Sequence, residues 1–514
     1  MRSKKALYNV GTNLLLQLIT IIYGFIVPKI IISNFGSNVN GLVSSITQFL
    51  SYIALLESGF GPVVKSALYK PIASKNSKEI ANIIRTAEKF FRKISYIFLA
   101  YIFILSILYP LLVNNDFSYL YTISLIVIIA LSTFAEYFFG MTYRLFLQAN
   151  QKTYIISTIQ IVTYLANIIL IVILAKLGAG IHIIKLVSSI AFVLRPIIQN
   201  IYVKKKFNIN VKEANSNYKL KNKWDGLAQH IAAVIHNNTD ITILTIFSTL
   251  AEVSVYSVYS LITRGLKSVV QAFNSGMDAT FGDMIAKNEN ENLNKAFKSY
   301  EFVYFTIITI IFTCAGILTI PFIKIYTINI TDADYIRPTF AYLIVLAEFA
   351  NMIRLPYISL TYSAGHFKET RKGAWIEAIL NIAISIILVN RFGIIGVAIG
   401  TLVAMIIRTV EFIYHSAKYI LKRNIINSYI KAIVSIFETL LIVFACQHFI
   451  KFEIMSYFTW FIYGILIFAI VSIIIILVHL ILYKDDAKNV VNKLKTIIKR
   501  WKNWKKRQKI FCWI

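Results

Sequence analysis

The chain has 514 residues, 57% of them hydrophobic and only 15% charged, where soluble domains carry about 25% charged residues; this composition excludes a water-soluble globular class and points to a bilayer. The formal net charge is +29, but the basic residues gather in alternate connections, which argues for membrane topology and against a nucleic-acid partner. The three cysteines, Cys314, Cys446 and Cys512, are scattered without a CxxC pair, so neither a disulfide framework nor a zinc site is indicated.

Apolar runs of about 20 residues recur from end to end and predict an all-α polytopic membrane protein. Fourteen spans are expected, near 8–33, 39–60, 93–114, 119–145, 153–177, 181–203, 226–247, 252–280, 299–326, 338–362, 374–391, 394–420, 428–450 and 457–483. The first run lacks a small-residue cleavage site after it and reads as a transmembrane helix, not a signal peptide. Basic residues crowd the N-terminus (Arg2, Lys4, Lys5), the second connection (Lys65 to Lys93), the sixth (Lys204 to Lys223) and the tenth (Lys368, Arg371, Lys372). The first and third connections, near Asn34–Asn38 and Asn114–Ser118, have none. By the positive-inside rule both termini are expected to lie in the cytoplasm.

The chain also repeats itself. Ile72-Ala73-Ser74-Lys75-Asn76 returns as Ile285-Ala286-Lys287-Asn288, and Leu165-Ala166-Asn167-Ile168-Ile169 as Ile379-Leu380-Asn381-Ile382-Ala383. Gly178, Gly180 and Arg195 return as Gly393, Gly396 and Arg408, always at an offset of about 212–216 residues. Two homologous halves of six spans each share one orientation and are related by an axis along the membrane normal. The expected organisation is an N-lobe (1–205), a cytoplasmic linker (206–224), a C-lobe (225–425), an extra pair (426–483) and a tail (484–514). In the tail, Val490, Leu494, Ile497, Trp501 and Trp504 fall at helical spacing among lysines and arginines, as in a helix that lies on anionic membrane lipids. A partner-docking helix is the other reading.

Local motifs carry a resemblance. Phe35-Gly36-Ser37-Asn38-Val39-Asn40-Gly41-Leu42, Leu55-Leu56-Glu57-Ser58-Gly59-Phe60-Gly61 before a basic amphipathic loop, and Asn238-Thr239-Asp240-Ile241-Thr242-Ile243-Leu244 followed by Val255-Tyr256-Ser257 resemble the polysaccharide (Wzx-like) branch of the multidrug/oligosaccharidyl-lipid/polysaccharide flippase superfamily. The resemblance covers roughly residues 1–425. It implies a non-enzymatic flippase for polyprenyl-pyrophosphate-linked oligosaccharides, serving surface polysaccharide biosynthesis by alternating access.

Polar groups inside the spans mark the expected sites, because a charge at the bilayer centre is costly without a partner or a wet cavity. Arg264 lies roughly 18 Å along the eighth span from Glu252, near the midplane, with Lys267 one turn on and no acid within two turns. This basic pair suits a pyrophosphate; pairing with an acid on a neighbouring helix is the alternative. Arg195 before Pro196 and Arg354 before Leu355-Pro356 sit at expected kinks and are further substrate-binding candidates. Arg408 has Glu411 one turn away, an intrahelical pair, and Arg144 reads as an interfacial anchor. Asn9, Asn13, Gln17 and Thr20 form a polar stripe on the first span, joined by Ser44, Thr47 and Gln48 on the second; the stripe either faces a wet cavity, with Asn13, Gln17 and Gln48 contacting sugar, or packs helices together. The lipid II branch carries basic residues in its first spans, so this stripe departs from it. Asp240, beside Asn237 and Asn238, either binds a coupling cation, H⁺ or Na⁺, or neutralises Arg264, or is a hydrogen-bonded packing residue. His230 and His236 are not at an i, i+4 spacing, so no metal site is expected. No GxxxxGK[ST] loop and no cofactor motif occur, which leaves an ion gradient or substrate removal as the energy source. A multidrug/cation antiporter of the same superfamily is one alternative reading. A membrane glycosyltransferase or polysaccharide polymerase is another, disfavoured by short outer loops without paired carboxylates.

Overall fold

The computed structural model describes residues 2–57, 59–113, 117–207, 209, 214, 227–274, 277–449, 456–492 and 495. Among them every regular element is a helix. In chain order these are α1 (Arg2–Ser51), α2 (Ala54–Glu57), α3 (Phe60–Ala73), α4 (Ser77–Leu112), α5 (Tyr119–Ala135), a π-helical turn (Glu136–Gly140), α6 (Met141–Ala149), α7 (Thr153–Lys176) and α8 (Ile181–Phe207). Then follow α9 (Leu227–Phe247), α10 (Leu250–Asn274), α11 (Met277–Ala286), α12 (Asn290–Tyr326), α13 (Pro338–Ile353), α14 (Leu355–Ser363), α15 (Arg371–Phe392), α16 (Ile394–His415), a second π-helical turn (Ser416–Ile420), α17 (Ile425–Phe449) and α18 (Tyr457–Leu482). Among the described residues eleven helices are long and apolar enough to cross a membrane, which makes this a multi-pass membrane protein. Helices lie at all the expected span positions, but a count of fourteen needs α1 to be two spans and the more polar α9 and α10 to cross as well.

α1 divides at Gly36, whose φ of 83° is left-handed and suits glycine. Asp332 caps the new helical start: its Oδ2 accepts from the Ser37 backbone N–H at 2.6 Å and its Oδ1 from the Ser37 hydroxyl at 2.7 Å. A carboxylate on the first free N–H groups of a helix satisfies them and favours the helix dipole. At Arg354 the chain breaks between α13 and α14, with Pro356 in the first turn of the new helix. Pro196 does not interrupt α8; the π-helical turn packs on it, and Gly140 leaves no room there for a Cβ.

The repeat is visible in the backbone. Lys75 and Asn288 share an unusual positive φ, 56° and 57°, and Gly178 and Gly393 are both left-handed at 73° and 53°. Gln151 and Gly365 are a further pair at the same offset, at 55° and 75°. The repeat-related asparagines play one role. Asn167 donates to Ser188 Oγ at 2.7 Å, and Asn381 donates to Thr401 Oγ1 at 2.9 Å, each tying the fifth helix of its half to the sixth.

Contacts divide the chain into two compact units. The first comprises 1–265, 327–335 and 374–401; the second comprises 266–326, 336–373 and 402–514. This division runs through α10 and α16. The core of the first unit gathers Phe91, Phe98, Tyr109, Leu125, Phe146 and Val203. In the second unit one cluster joins α12 to the extra pair through Ile310, Cys314, Val443, Val471 and Ile475. Of the expected basic tail, residues 484–492 are helical, and its remainder apart from 495 lies outside the described residues.

Candidate functional site

A cavity of about 400 Å³ lies within the first unit, walled by α1, α5, α8, α9 and α10. Its polar wall is made of short hydroxyls and amides, among them Asn40, Thr47, Gln48, Ser132, Ser188 and Ser257. Among the described residues its charged lining side chains are Lys185 and Arg264, and none that lines it is acidic. These side chains reach the cavity because α1 and α8 carry serine, threonine and amide residues at helical spacing on the face that meets it. Such a wall attracts an anion and offers donors to its oxygens.

The expected residues distribute unevenly over this geometry. Arg264 and Gln48 line the cavity. Lys267 sits one turn beyond Arg264 on α10, past the boundary of the first unit, and is not among the lining residues. Arg195 lies over the rings of Tyr164 and Phe192, 4.2 Å from each centroid. Phe192 is itself a lining residue, so the guanidinium backs the wall through cation–π contacts. Arg354 belongs to the second unit, is 8% exposed, and donates from Nε to Asn351 Oδ1 at 2.9 Å. Arg408 pairs with Glu411, as expected from their spacing, and donates to the Thr370 carbonyl at 2.9 Å. Arg144 makes an ion pair with Glu136 at 3.0 Å.

The polar stripe of α1 is divided between two neighbours. Asn9 accepts from the Tyr154 backbone N–H at 2.9 Å, and Asn13 accepts from the Ser157 hydroxyl at 2.6 Å, so these two bind α1 to α7. Gln17 is exposed and does not line the cavity. Further along, Gln48 donates to Asn238 Oδ1, which also accepts from Ser51 at 2.8 Å. The Asn237 side chain lies outside the described residues.

Asp240 is 8% exposed on α9. Its Oδ2 accepts from the Tyr256 hydroxyl at 2.6 Å and from the Thr401 hydroxyl at 2.8 Å. Thr401 in turn accepts from Asn381. Asp240 is therefore hydrogen-bonded into a cluster of oxygen-bearing groups from α9, α10, α15 and α16. A carboxylate with hydroxyl and amide oxygens is the ligand chemistry of a small hard cation or a proton. Among the described residues no group of three or more His, Cys, Asp or Glu side chains forms a metal site.

Beside the cavity, hydroxyls and amides lace α1 to α10. Tyr335 OH lies 2.8 Å from Ser37 Oγ and 2.7 Å from Ser254 Oγ, and Asn40 donates to Ser254 at 2.8 Å. Burial pushes the Tyr335 hydroxyl above its usual range, so it remains a protonated donor in this chain. Gly41 meets the Leu250 carbonyl with no space for a Cβ.

Sequence reasoning missed Lys185, Tyr256, Thr401 and Asp332. Lys185 was readable as an intramembrane lysine. It lies only about 6 Å from the start of α8, where a lysine ordinarily serves as an anchor. Asp332 and Thr401 act across long sequence separations and leave no local pattern.

No family model matches the sequence, and no curated protein matches it. Solved structures do share the fold. The lipid II flippase MurJ in an inward closed conformation superposes with a TM-score of 0.65 at 16% identity, covering 93% of this chain and 99% of that chain. An inward-facing multidrug resistance MATE family transporter of the MOP superfamily gives 0.57 at 13% identity, with 87% and 100% covered. The Vibrio cholerae MATE transporter VcmN gives 0.53 at 16% identity, with 82% and 98% covered. The chain thus has the fold of these flippases and transporters, and its neighbours are not catalytic enzymes.

Proposed function

We propose that the protein is a flippase for an anionic lipid-linked substrate, a polyprenyl-pyrophosphate-linked oligosaccharide, and that the cavity of the first unit seats the head group. The observation that carries this reading is the lining itself: Lys185 and Arg264 set in a wall of hydroxyls and amides. The cations hold the pyrophosphate, Gln48 and the serines and threonines bond sugar hydroxyls, and the polyprenyl chain stays in lipid. Alternating access then releases the head group on the far side, for surface polysaccharide assembly at the cytoplasmic membrane. Asp240 with Tyr256, Thr401 and Asn381 supplies a seat for a coupling H⁺ or Na⁺. The basic tail holds anionic lipid on the cytoplasmic leaflet, where both termini lie.

The shared fold fits a multidrug/cation antiporter equally well, and the Asp240 cluster is compatible with ion exchange. The cavity separates the two readings, because the Lys185 and Arg264 cations in its wall favour an anion over cationic cargo. Thermal-shift measurements on the purified protein test this. A polyprenyl-pyrophosphate sugar should stabilise it and a cationic dye should not; stabilisation by the dye alone would select the antiporter.

A further inference from the structure

A second titratable cluster lies in the other unit, where α12 meets the extra pair. His479 on α18 is 1% exposed. Its Nε2 lies 3.0 Å from Glu438 Oε2 on α17, and its Nδ1 lies 2.8 Å from Thr306 Oγ1 on α12. Thr306 also reaches back to the Phe302 carbonyl at 2.8 Å. The hydroxyl has one hydrogen and can give it to only one of these two partners.

Two complete hydrogen-bonded arrangements follow, and they differ by one proton. In the first, Thr306 donates to Nδ1, Nε2–H donates to the Glu438 carboxylate, and the imidazole is neutral. In the second, Thr306 donates to the Phe302 carbonyl and accepts from Nδ1–H, while the other ring nitrogen and Glu438 still share a proton. The change needs a proton from solvent at Nδ1 and a rotation of one hydroxyl, with no heavy-atom movement. The first arrangement carries one buried negative charge, and the second carries no net charge.

We propose that Glu438, His479 and Thr306 form a one-proton binding site at the seam between α12 and the extra pair, with the Thr306 hydroxyl as its toggle. The site belongs to the second unit, whereas Asp240 belongs to the first, and it would bind its proton whatever cargo the cavity carries. The surrounding groups leave this role to the pair. The Tyr483 ring meets His479 edge-on at 5.5 Å, but burial, followed by Glu438, Glu301 and Asp486, pushes its hydroxyl well above the usual range, so it stays neutral. On α12, on α17 and after α18, Glu301, Lys431 and Asp486 pair with one another, with Lys431 3.1 Å from Glu301 and 2.6 Å from Asp486. Arg423 completes that set on Glu301. The buried Glu438 Oε1 has no hydrogen-bond partner among the described residues, so that oxygen is left with acceptor capacity beside His479.

The test is deuterium exchange at the imidazole C2 carbon of His479 in the full-length protein, read by mass spectrometry of the peptide that carries it. The exchange rate should pass through a single inflection as pH is varied, the signature of one bound proton. Glu438→Gln should displace that inflection by about one pH unit or more, as expected for loss of a neighbouring charge. Thr306→Val, which removes the toggle and keeps the shape, should displace it too and stands in if the first variant does not fold. A profile without an inflection, or one that neither variant moves, would overturn the proposal.

Discussion

At the scale of single residues, binding depends on which polar side chains face the cavity. Arg264 was legible because an arginine deep in an apolar helix needs a reason. Lys185 was not, because its position near a helix end is also where lysines serve as anchors. Periodicity placed Asn13 on a polar face of α1 but could not say which neighbour that face meets; Ser157 on α7 claims it. Removing one charge-assisted contact to phosphate should cost about 1.5–3 kcal/mol, roughly 10- to 150-fold in affinity. Lys185→Ala and Arg264→Ala should each weaken binding of a polyprenyl-pyrophosphate sugar in that range, as measured by calorimetric titration, while the variants still fold. Arg264→Lys should recover part of the loss, because ammonium keeps the charge and loses the planar fork. Asp240→Asn should leave substrate binding largely intact and flatten the dependence of transport on an H⁺ or Na⁺ gradient. An unchanged gradient dependence would assign Asp240 to helix packing through Tyr256 and Thr401.

At the scale of elements, the sequence was informative about where helices run and poor about what ties them. Apolar runs located the spans, and the break at Arg354 followed from Pro356. The cap on the second part of α1 comes from Asp332, which lies 295 residues from Ser37, a separation no local pattern reports. Asp332→Ala removes two hydrogen bonds to Ser37 and should cost about 0.5–2 kcal/mol, typical of a lost N-cap. Gly36→Ala places a Cβ on a left-handed backbone, at a cost of about 1–2 kcal/mol, and also crowds the Asp332 carboxylate. Both variants should lower the melting temperature in detergent, and Gly36→Ala in an Asp332→Ala background should show less than the sum, because the two act on one helix start. Strict additivity would mean that the cap and the turn are independent. At Gly41, replacement by valine should separate α1 from the Leu250 carbonyl and destabilise the protein more than either change.

At the scale of the whole molecule, the internal repeat was the strongest sequence signal, and the matching left-handed residues, Lys75 with Asn288 and Gly178 with Gly393, carry it into the backbone. The compact units were not legible, because α10 and α16 each pass from one unit into the other, and hydropathy follows a helix without regard to its neighbours. Orientation rests on the basic connections. In a cysteine-free background, a cysteine at Ser118 should react with an impermeant reagent added to intact cells, and one at Lys206 should not; the reverse pattern would invert the topology.

On the proposed function, the cavity of the first unit with Lys185 and Arg264 carries an anionic lipid-linked head group across the membrane. The measurement that tests this most directly is the sidedness of a fluorescent polyprenyl-pyrophosphate sugar in proteoliposomes, followed by quenching from outside. Wild-type protein should equilibrate the label between leaflets, and Lys185→Ala with Arg264→Ala in one folded, fully inserted protein should abolish that exchange. Equal exchange by the wild type and the double variant, or no exchange by the wild type while a cationic dye is transported, would contradict the account.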